Sequence, residues 1–268
     1  MIRIALAGAT GWVGRALVAA IAKTDDLALV AAVSRSSAGR DAGEAAGIAR
    51  NGVVVAATLA EALRTPSDVV VDYTKPNAVK GHALAAIAAG RHVVVGASGL
   101  GADDYAEIEA KAAAARVGVI AAGNFSITAT LLKRFTLEAA RYVRDVEIVD
   151  YASAGKPDTP SGTGRELAEI LSARRQAPSS TPVEKLAGIP ATRGAAVKTG
   201  EHPVQVHSLR LPGYVLAVES VFGAPDERLT IRHDAGSSAS PYVAGTLLAI
   251  RKVSGIRGLV RGLENLIG

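Results

Sequence analysis

The sequence contains no cysteine, and this absence excludes several kinds of site at once. A chain without thiols has no disulfide bridge, no thiolate nucleophile and no cysteine-ligated zinc. Aromatic residues are also scarce, at 4% of 268 residues, whereas hydrophobic residues make up 49% and are mostly small. This composition is typical of a globular α/β protein with a full core, and it is unlike that of a disordered chain.

Long hydrophobic runs and blocks of one charge are missing too. No stretch reaches the ~18 apolar residues of a membrane-spanning helix, and an apolar strand begins directly after Met1 without a signal-peptide pattern. The net charge is +5, but 30 Lys and Arg residues alternate with 25 acidic residues and form no basic run. The sequence therefore predicts a cytoplasmic protein that binds neither membranes nor nucleic acid, and its modest positive charge suits a small anionic ligand.

The first 125 residues alternate short apolar segments with helical patterns. Segments such as 2–7, 27–33 and 68–73 are almost entirely apolar, as strands buried on both faces of a parallel sheet are. We therefore predict an α/β fold with an N-terminal Rossmann-type parallel sheet over residues 1–125.

The pattern changes at residue 126. A long helix is predicted at 127–142, and four later segments with period-two alternation read as strands: 146–151, 204–210, 214–222 and 229–233. Residues 126–236 are thus predicted to form an α+β domain with a mostly antiparallel sheet. The final segment, 237–268, contains a helical pattern and is predicted to pack back on the first domain.

A glycine-rich turn joins the first predicted strand to the first predicted helix. Glycines at positions 8, 11 and 14 permit a tight turn, and they let backbone N–H groups approach a pyrophosphate at the N-terminus of the helix. Simple turn chemistry is the alternative reading, but the position between strand and helix favours a dinucleotide site. The candidate residues are Gly8, Thr10, Gly11, Trp12, Val13 and Gly14.

The end of the second strand bears on the choice of nicotinamide cofactor. NAD-selective folds place an acidic residue here to bind the ribose 2′-hydroxyl. This chain instead has Ser34, Arg35 and Ser36, and no acidic residue follows the strand until Asp41. An arginine with flanking hydroxyls suits a 2′-phosphate, so NADPH is predicted and NADH remains possible. A solvated polar loop is the alternative.

Three further strand ends fall at the same predicted sheet edge, where ligands bind in such folds. Each is a turn of small and polar residues that could equally be structural. Together they favour a continuous cofactor groove that includes Tyr73, Gly96, Ser98, Asn124 and Phe125.

The most specific motif is Lys156-Pro157-Asp158-Thr159-Pro160-Ser161-Gly162-Thr163, which leads into a predicted helix. Ser161 is a candidate N-cap, and the N–H groups of Gly162 and Thr163 can bind an oxyanion at the helix N-terminus. Lys156 adds a full positive charge. A capping turn alone would explain Ser161 but not the lysine, so we predict a carboxylate site formed by Lys156, Ser161, Gly162 and Thr163.

Taken together, these motifs resemble the 4-hydroxy-tetrahydrodipicolinate (dihydrodipicolinate) reductase family over nearly the whole chain. The resemblance also includes the Asp72-Tyr73-Thr74-x-Pro76, His207-Ser208-x-Arg210 and Ile231-x-His233-Asp234 segments. It implies an NAD(P)H-dependent oxidoreductase of lysine and diaminopimelate biosynthesis that forms a homotetramer. It further implies that residues 126–236 serve substrate binding and oligomerisation, with Lys156, Gly162 and Thr163 on the substrate carboxylates.

Two departures from the family pattern concern the chemistry. Where the resemblance implies a His-His pair that includes the general acid, this chain has Ala152 and Ser153, and Ser238 replaces an expected arginine. The chain therefore looks like a diverged member. Candidate sources of the proton are Tyr151, Lys156, and a water held by Ser153. Against Tyr151, strand alternation predicts that its side chain points to the other face from that of Ala152.

Several functions remain open at this point. The leading hypothesis is reduction of the C=N bond of 4-hydroxy-tetrahydrodipicolinate. A diverged paralogue that reduces another cyclic imine or a carbonyl compound is the second, and a non-catalytic NADP-binding regulator is the third. His207 and His233 are expected to line the substrate domain or to pack in it. No histidine and acidic residues have a spacing typical of a metal site, so no metal is expected.

Overall fold

A computed structural model of the chain describes residues 1–181, 183–188 and 193–267. The chain divides into two compact units. Unit 1 consists of Met1–Ile127 and Ala239–Gly268, and unit 2 consists of Thr128–Ser238. Unit 2 is thus inserted between two segments of unit 1.

Unit 1 contains a seven-stranded parallel sheet with the order β12-β6-β5-β4-β1-β2-β3. Its strands are β1 (Ile2–Ala7), β2 (Leu27–Val33), β3 (Val55–Ala56), β4 (Val69–Asp72), β5 (His92–Val95), β6 (Gly118–Ala121) and β12 (Gly258–Arg261). Because β1 has β2 on one side and β4 on the other, the strand order reverses at β1. In open α/β sheets, ligands bind at the carboxyl ends of the strands beside such a reversal.

Helices supply the two apolar layers that cover this sheet. They are α1 (Trp12–Ile21), α2 (Ala42–Ala46), α3 (Leu59–Ala62), α4 (Pro76–Ala88), α5 (Ala102–Ala115) and α8 (Ser240–Lys252). Successive side chains of β1 enter different clusters: Ile4 packs with residues of α1 and α8, whereas Ala5 packs with residues of α4 and α5. This alternation is that of a strand buried on both faces, and it confirms the predicted α/β, Rossmann-type architecture.

Unit 2 contains a five-stranded mixed sheet with the order β11-β10-β7-β9-β8. The strands are β7 (Asp145–Ala152), β8 (Ala195–Val197), β9 (Val204–Arg210), β10 (Leu216–Ala224) and β11 (Glu227–Ala235), and the helices are α6 (Ile127–Ala139) and α7 (Gly162–Arg174). All pairs are antiparallel except β7 with β9. The mostly antiparallel α+β prediction is therefore confirmed.

One face of this sheet is covered and the other is partly open. Along β7 the side chains alternate strictly between buried and half-exposed, with Ile148, Asp150 and Ala152 on the buried face. On that face Ile148 belongs to a cluster with Leu167 and Leu171 of α7. The strand thus delivers Asp150 and Ala152 to the side on which α7 lies.

Some elements differ from the sequence-based expectations. The strands β8 and β12 were not predicted, because segments of three and four residues carry too little periodicity. The helix α6 ends at Ala139, not at residue 142. The predicted polar connection 176–200 contains β8 and a short 3-10 helix, Val183–Lys185, and its residues 182 and 189–192 lie outside the described residues.

Candidate active site

The glycine turn after β1 is closed by contacts that no other residue type permits. Gly8 has a φ of +83°, and a Cβ there would lie 2.5 Å from the carbonyl oxygen of Tyr73. A Cβ on Gly14 would lie 2.0 Å from the carbonyl oxygen of Gly8, so the first turn of α1 packs directly on the glycine turn. Since the first N–H groups of a helix have no acceptor within it, this cradle fits a pyrophosphate group.

Hydroxyl groups link this turn to the end of β2. The Oγ1 atom of Thr10 lies 2.6 Å from Oγ of Ser34, which in turn lies 3.3 Å from Oγ of Ser36. Arg35 is exposed at the start of a short 3-10 helix, Arg35–Ser37. Arg15, which the sequence reasoning missed, donates from Nε to the carbonyl oxygen of Thr10 at 2.9 Å. Two arginines and three hydroxyls thus belong to this one corner.

Tyr73 holds three of the predicted strand ends together. A Cβ on Gly96 would lie only 2.3 Å from the Tyr73 ring, so this ring packs directly on the Gly96 backbone. The rings of Tyr73 and Phe125 have centroids 6.1 Å apart. The Tyr73 hydroxyl shares a hydrogen bond of 2.6 Å with Oγ1 of Thr246. Burial raises the pKa of Tyr73, and the bond to Thr246 opposes that effect only in part.

Helix α8 contributes residues that the sequence reasoning did not assign to the site. Besides Thr246, it supplies Tyr242, whose ring meets that of Trp12 edge to face at 5.5 Å. The two positions are four residues apart and so share one face of the helix. Two side chains with polar groups four residues apart, Tyr242 and Thr246, were the sequence feature that could have indicated a role for this helix. Trp12 itself is 58% exposed, which leaves much of its ring free.

The remaining predicted cofactor residues also lie at strand ends. Asn124 and Phe125 follow β6, and Oδ1 of Asn124 accepts from the N–H of Ser126 at 2.8 Å. Ser98, after β5, is exposed. All the predicted groups therefore occupy the carboxyl edge of the parallel sheet.

A buried carboxylate orders the turn after β4. Asp72 is fully buried, and its Oδ1 accepts from the N–H of Thr74 at 2.7 Å and from the Thr74 hydroxyl at 2.6 Å. Its Oδ2 lies 2.7 Å from Nδ1 of His82. Because Thr74 directly follows Tyr73, this network holds the Tyr73 backbone in place. His82 therefore has a hydrogen-bond partner within the fold.

In unit 2, the loop after β7 is anchored at the N-terminus of α7. Ser161 is the N-cap, as predicted, and its Oγ accepts from the N–H of Gly164 at 3.3 Å. The same Oγ donates to Oδ1 of Asp150 at 2.5 Å, and the Ser161 N–H donates to Oδ2 at 2.8 Å. Ser161 is 1% exposed, so its side chain is engaged within the fold. Gly162 is exposed and Thr163 half-exposed at the open end of the helix.

Asp150 and Arg210 form the buried ion pair beneath this loop. Their side chains are 0% and 13% exposed, and Nη2 of Arg210 donates to Oδ2 of Asp150 at 2.8 Å. The same Nη2 donates to the carbonyl oxygen of Asp158 at 2.6 Å. Sequence reasoning gave neither residue a role. The feature of the sequence that could have identified Asp150 is an acidic residue at an inward position of the predicted strand, where a carboxylate needs a partner.

Lys156 lies on the outer part of the loop. Its backbone N–H donates to the carbonyl oxygen of Ser153 at 3.0 Å, and its Nζ lies 2.8 Å from Oδ1 of Asp158. The Lys156 ammonium is the main cause of the lowered pKa of Asp158, and the N–H of Gly162 adds to it. The loop therefore brings a lysine ammonium to the same part of the chain as the first turn of α7.

Tyr151 lies on the opposite face of β7 from Asp150 and Ala152. Its hydroxyl donates to Oε2 of Glu219 at 3.1 Å, and the guanidinium of Arg232 lies 4.5 Å from its ring centroid. Burial raises the pKa of Tyr151, and so does the nearby Glu219 carboxylate. Tyr151 therefore lies on the opposite face of β7 from Asp150, to which Ser161 is bonded.

Comparisons with known proteins match both units. The family described as "Dihydrodipicolinate reductase, N-terminus" matches residues 2–125, and "Dihydrodipicolinate reductase, C-terminus" matches residues 128–267. The chain belongs to the dihydrodipicolinate reductase family. It is therefore an oxidoreductase, and its N-terminal domain is the nucleotide-binding, Rossmann-type domain of that family.

Individual relatives are similar to this dihydrodipicolinate reductase family member over nearly its whole length. The 4-hydroxy-tetrahydrodipicolinate reductase of Moorella thermoacetica is 38% identical over 269 residues, covering 99% of this chain and 98% of that protein. The enzyme of the same name from Picosynechococcus is 37% identical over 273 residues, covering 99% and 98%. A solved structure of dipicolinate-bound dihydrodipicolinate reductase from Paenisporosarcina has a TM-score of 0.82 at 29% identity, with both chains covered fully.

A more distant likeness concerns the fold alone. The structure of an amine dehydrogenase from Mycobacterium smegmatis has a TM-score of 0.63 at 16% identity, covering 97% of this chain and 94% of that one. Within the described ranges of this dihydrodipicolinate reductase family member, no group of three or more His, Asp or Glu is arranged to hold a metal ion. The same ranges include no helix with the length and apolarity to span a membrane.

The two histidines expected in the substrate domain lie on different faces of its sheet. His207 pairs in register with Val149, on the half-exposed face, and its Nε2 lies 2.6 Å from Oε2 of Glu147. His233 pairs with Val218, which pairs with Asp150, so His233 lies on the face that carries the loop. Burial lowers the pKa of His233 and so favours the neutral imidazole.

Proposed function

We propose that this chain transfers a hydride from NADPH to the C=N bond of 4-hydroxy-tetrahydrodipicolinate, in lysine and diaminopimelate biosynthesis. The observation that carries the proposal is the loop of residues 156–163, where a buried ion pair anchors Asp158 and Ser161 between Lys156 and the exposed N-terminus of α7. A lysine ammonium near helical N–H groups that lack acceptors within the helix is suited to a carboxylate. The dipicolinate bound in the solved structure of a family member is a dicarboxylate of the same kind.

In this proposal the cofactor binds along the carboxyl edge of the parallel sheet. The N–H groups at Thr10–Gly14 would hold its pyrophosphate, while Arg35 and the hydroxyls of Ser34 and Ser36 would hold a 2′-phosphate. No acidic residue occurs between Ser34 and Arg40, so NADPH is preferred over NADH. The cofactor, when bound, supplies the hydride.

The substrate carboxylate is assigned to Lys156, Gly162 and Thr163. Gly162 and Thr163 offer N–H groups in the first turn of α7, which lack intrahelical acceptors, and Lys156 offers a charge-assisted hydrogen bond. Ser161 contributes indirectly, because its buried hydroxyl bonds to Asp150 and to the N–H of Gly164. We therefore propose it as a positioning residue.

Reduction of C=N also requires a proton on nitrogen, and here the chain departs from the pattern that the family resemblance implies. Ala152 is fully buried and carries only a methyl group, and Ser153 is exposed. We propose that the Nζ of Lys156 donates this proton, directly or through a water bound by Ser153. Tyr151 is less suited, because its hydroxyl bonds to Glu219 on the other face and its pKa is raised.

The test is NADPH oxidation by the purified protein with freshly prepared 4-hydroxy-tetrahydrodipicolinate, beside a panel of other cyclic imines and aldehydes. Turnover on the first compound is expected. Activity only on other panel members would support the second candidate, a diverged reductase. The observation that favours this candidate is Ala152 and Ser153 at the positions where the resemblance implies a histidine pair. NADPH binding without turnover on any compound would contradict both.

Variants at three positions separate the candidate proton donors. Lys156→Gln is expected to lower kcat by about 10²- to 10⁴-fold, the usual contribution of a positioned acid, and to raise KM because the carboxylate loses its cation. Lys185→Gln, an exposed lysine of the same unit, is the control for the loss of charge. Tyr151→Phe should leave kcat within about twofold, since a true donor would cost at least ~10²-fold.

We also propose a homotetramer, as the family resemblance implies. The half-exposed face of the unit 2 sheet supports this, because it bears Tyr151, whose ring centroid lies 5.1 Å from that of Tyr214. Light scattering during gel filtration should give four times the 27.3 kDa of one chain. The mass of a monomer would contradict the proposal.

A further inference from the structure

Asp158 already makes the contacts that a substrate carboxylate would need. Its Oδ1 lies 2.8 Å from Nζ of Lys156, and the N–H of Gly162 also acts on the carboxylate, lowering its pKa. The Asp158 backbone is fixed, because its carbonyl oxygen accepts from Nη2 of Arg210 at 2.6 Å. The side chain, however, is 42% exposed and has room to rotate towards solvent.

From this arrangement we infer that Asp158 is an internal competitor: its carboxylate occupies the anion position of the loop until a substrate carboxylate displaces it from Lys156. The inference rests on the proposed function, because it takes Lys156 as the partner of the substrate carboxylate. The fixed backbone keeps Asp158 within reach, so its carboxylate returns to Lys156 when the product leaves. Asp158 thereby sets both the affinity for carboxylate ligands and the rate of their release.

The magnitude follows from the exposure of the pair. Lys156 and Asp158 are 33% and 42% exposed, so water screens their attraction. Ion pairs of this kind contribute about 0.2–1 kcal/mol, which corresponds to about a 1.4- to 5-fold change in a binding constant. The free energy needed to displace Asp158 from Lys156 is therefore small enough to permit substrate binding, and its effect on the binding constant is large enough to measure.

A second role for Asp158 predicts the opposite sign. If Asp158 served only to orient the Lys156 ammonium, its removal would loosen the lysine and weaken ligand binding. A competitor, by contrast, strengthens binding when it is removed. The direction of the change in Kd therefore decides between the two roles.

The experiment measures binding of dipicolinate to the full-length protein by calorimetry at saturating NADPH and ~0.15 M salt. Asp158→Asn keeps the shape and the hydrogen-bond acceptor but removes the charge. We expect its Kd to fall about 2- to 5-fold and dissociation to slow by a similar factor. Asp158→Ser is a second variant, in case the asparagine variant does not fold. An unchanged or a higher Kd would overturn the inference.

Two controls separate competition from general electrostatics. Glu169→Gln removes the same charge from an exposed position of α7 about 10 Å along the helix from Gly162, and it should leave Kd unchanged within error. In a Lys156→Gln background, Asp158→Asn should no longer tighten binding, because there is no ammonium to compete for. Tightening that persists in this background would also overturn the inference.

The Lys156→Gln variant further distinguishes this inference from the proposed function. If Lys156→Gln alone leaves dipicolinate affinity unchanged, the carboxylate assignment fails and the inference fails with it. If Lys156→Gln weakens binding but Asp158→Asn does not tighten it, the carboxylate site stands and only the competitor role is refuted.

Discussion

Removing the Arg210 guanidinium should destabilise unit 2 strongly, because Asp150 would remain buried without its counter-charge. Asp150 is 0% exposed, and Arg210 is its salt-bridge partner at 2.8 Å. Breaking a buried ion pair from one side costs about 3–5 kcal/mol. Because Asp150 would keep two hydrogen bonds from Ser161, we expect Arg210→Met to cost about 3 kcal/mol, near the lower limit of that range.

Hydrogen exchange with mass spectrometry is the appropriate assay, because it resolves the two units. A loss of about 3 kcal/mol corresponds to roughly 10²-fold faster exchange of the most protected amides. Peptides from β7 and β9 should show this acceleration. An acceleration that corresponds to less than about 1 kcal/mol would refute the reasoning, since that is the contribution of an exposed pair.

The double variant provides the matched control. Asp150→Asn with Arg210→Met removes both charges and leaves no buried ion, so it should be less destabilising than Arg210→Met alone. The Arg210→Met variant should also bind dipicolinate more weakly, because the carbonyl oxygen of Asp158 loses its anchor. Its affinity for NADPH, which is assigned to unit 1, should not change.

Three further predictions concern other parts of the molecule. Arg35→Ala should weaken NADPH binding about 10- to 100-fold, the contribution of one charge-assisted contact, with little effect on NADH; equal losses, measured by fluorescence titration, would contradict the assignment. Gly96→Ala should destabilise the chain by about 1–3 kcal/mol in a urea titration, since its Cβ would overlap the Tyr73 ring. Gly81→Ala in α4, whose new Cβ would meet no residue outside the helix within 4 Å, should be neutral or stabilising in the same titration. Burial tends to raise the pKa of Asp145, but hydrogen bonds from Ser179 and Ser180 lower it to about 2. Because the pKa is lowered, the stabilising effect of Asp145 is complete above the ordinary value of 3.8 and is lost towards pH 2. The difference in Tm between the wild type and Asp145→Asn should therefore shrink from pH 3.8 to pH 2, and a constant difference would contradict the assignment.

The sequence was sufficient for the architecture of unit 1 because local signals carry it. Apolar strands, helical stripes and the glycine turn each fix an element within a few residues. Once a parallel sheet is inferred, the strand ends must share one edge, and this alone places five residues in one candidate groove: Gly8, Ser34, Tyr73, Gly96 and Asn124.

Long-range partners could not be predicted in the same way. The hydrogen bond between Tyr73 and Thr246 joins residues 173 positions apart, and nothing in either local pattern points to the other. The parallel pairing of β7 with β9 is a similar case, since alternation is identical in parallel and antiparallel strands of a half-buried sheet. That pairing sets Arg210 beside Ala152 and within reach of Asp150, which is why the ion pair beneath the loop was missed.

The scaffold of the loop of residues 156–163 and the proposed source of the proton are separable in this chain. Asp150, Arg210 and Ser161 are bonded to one another and to the loop backbone, and none of these contacts involves Ala152 or Ser153. An imidazole at those two positions is therefore unnecessary for the geometry that holds Lys156 and the N-terminus of α7. If the loop binds the substrate carboxylate as we propose, the absence of imidazoles at these two positions changes the route of the proton but leaves that binding intact. This is the physical reason to expect an anionic cyclic substrate, whichever group protonates its nitrogen.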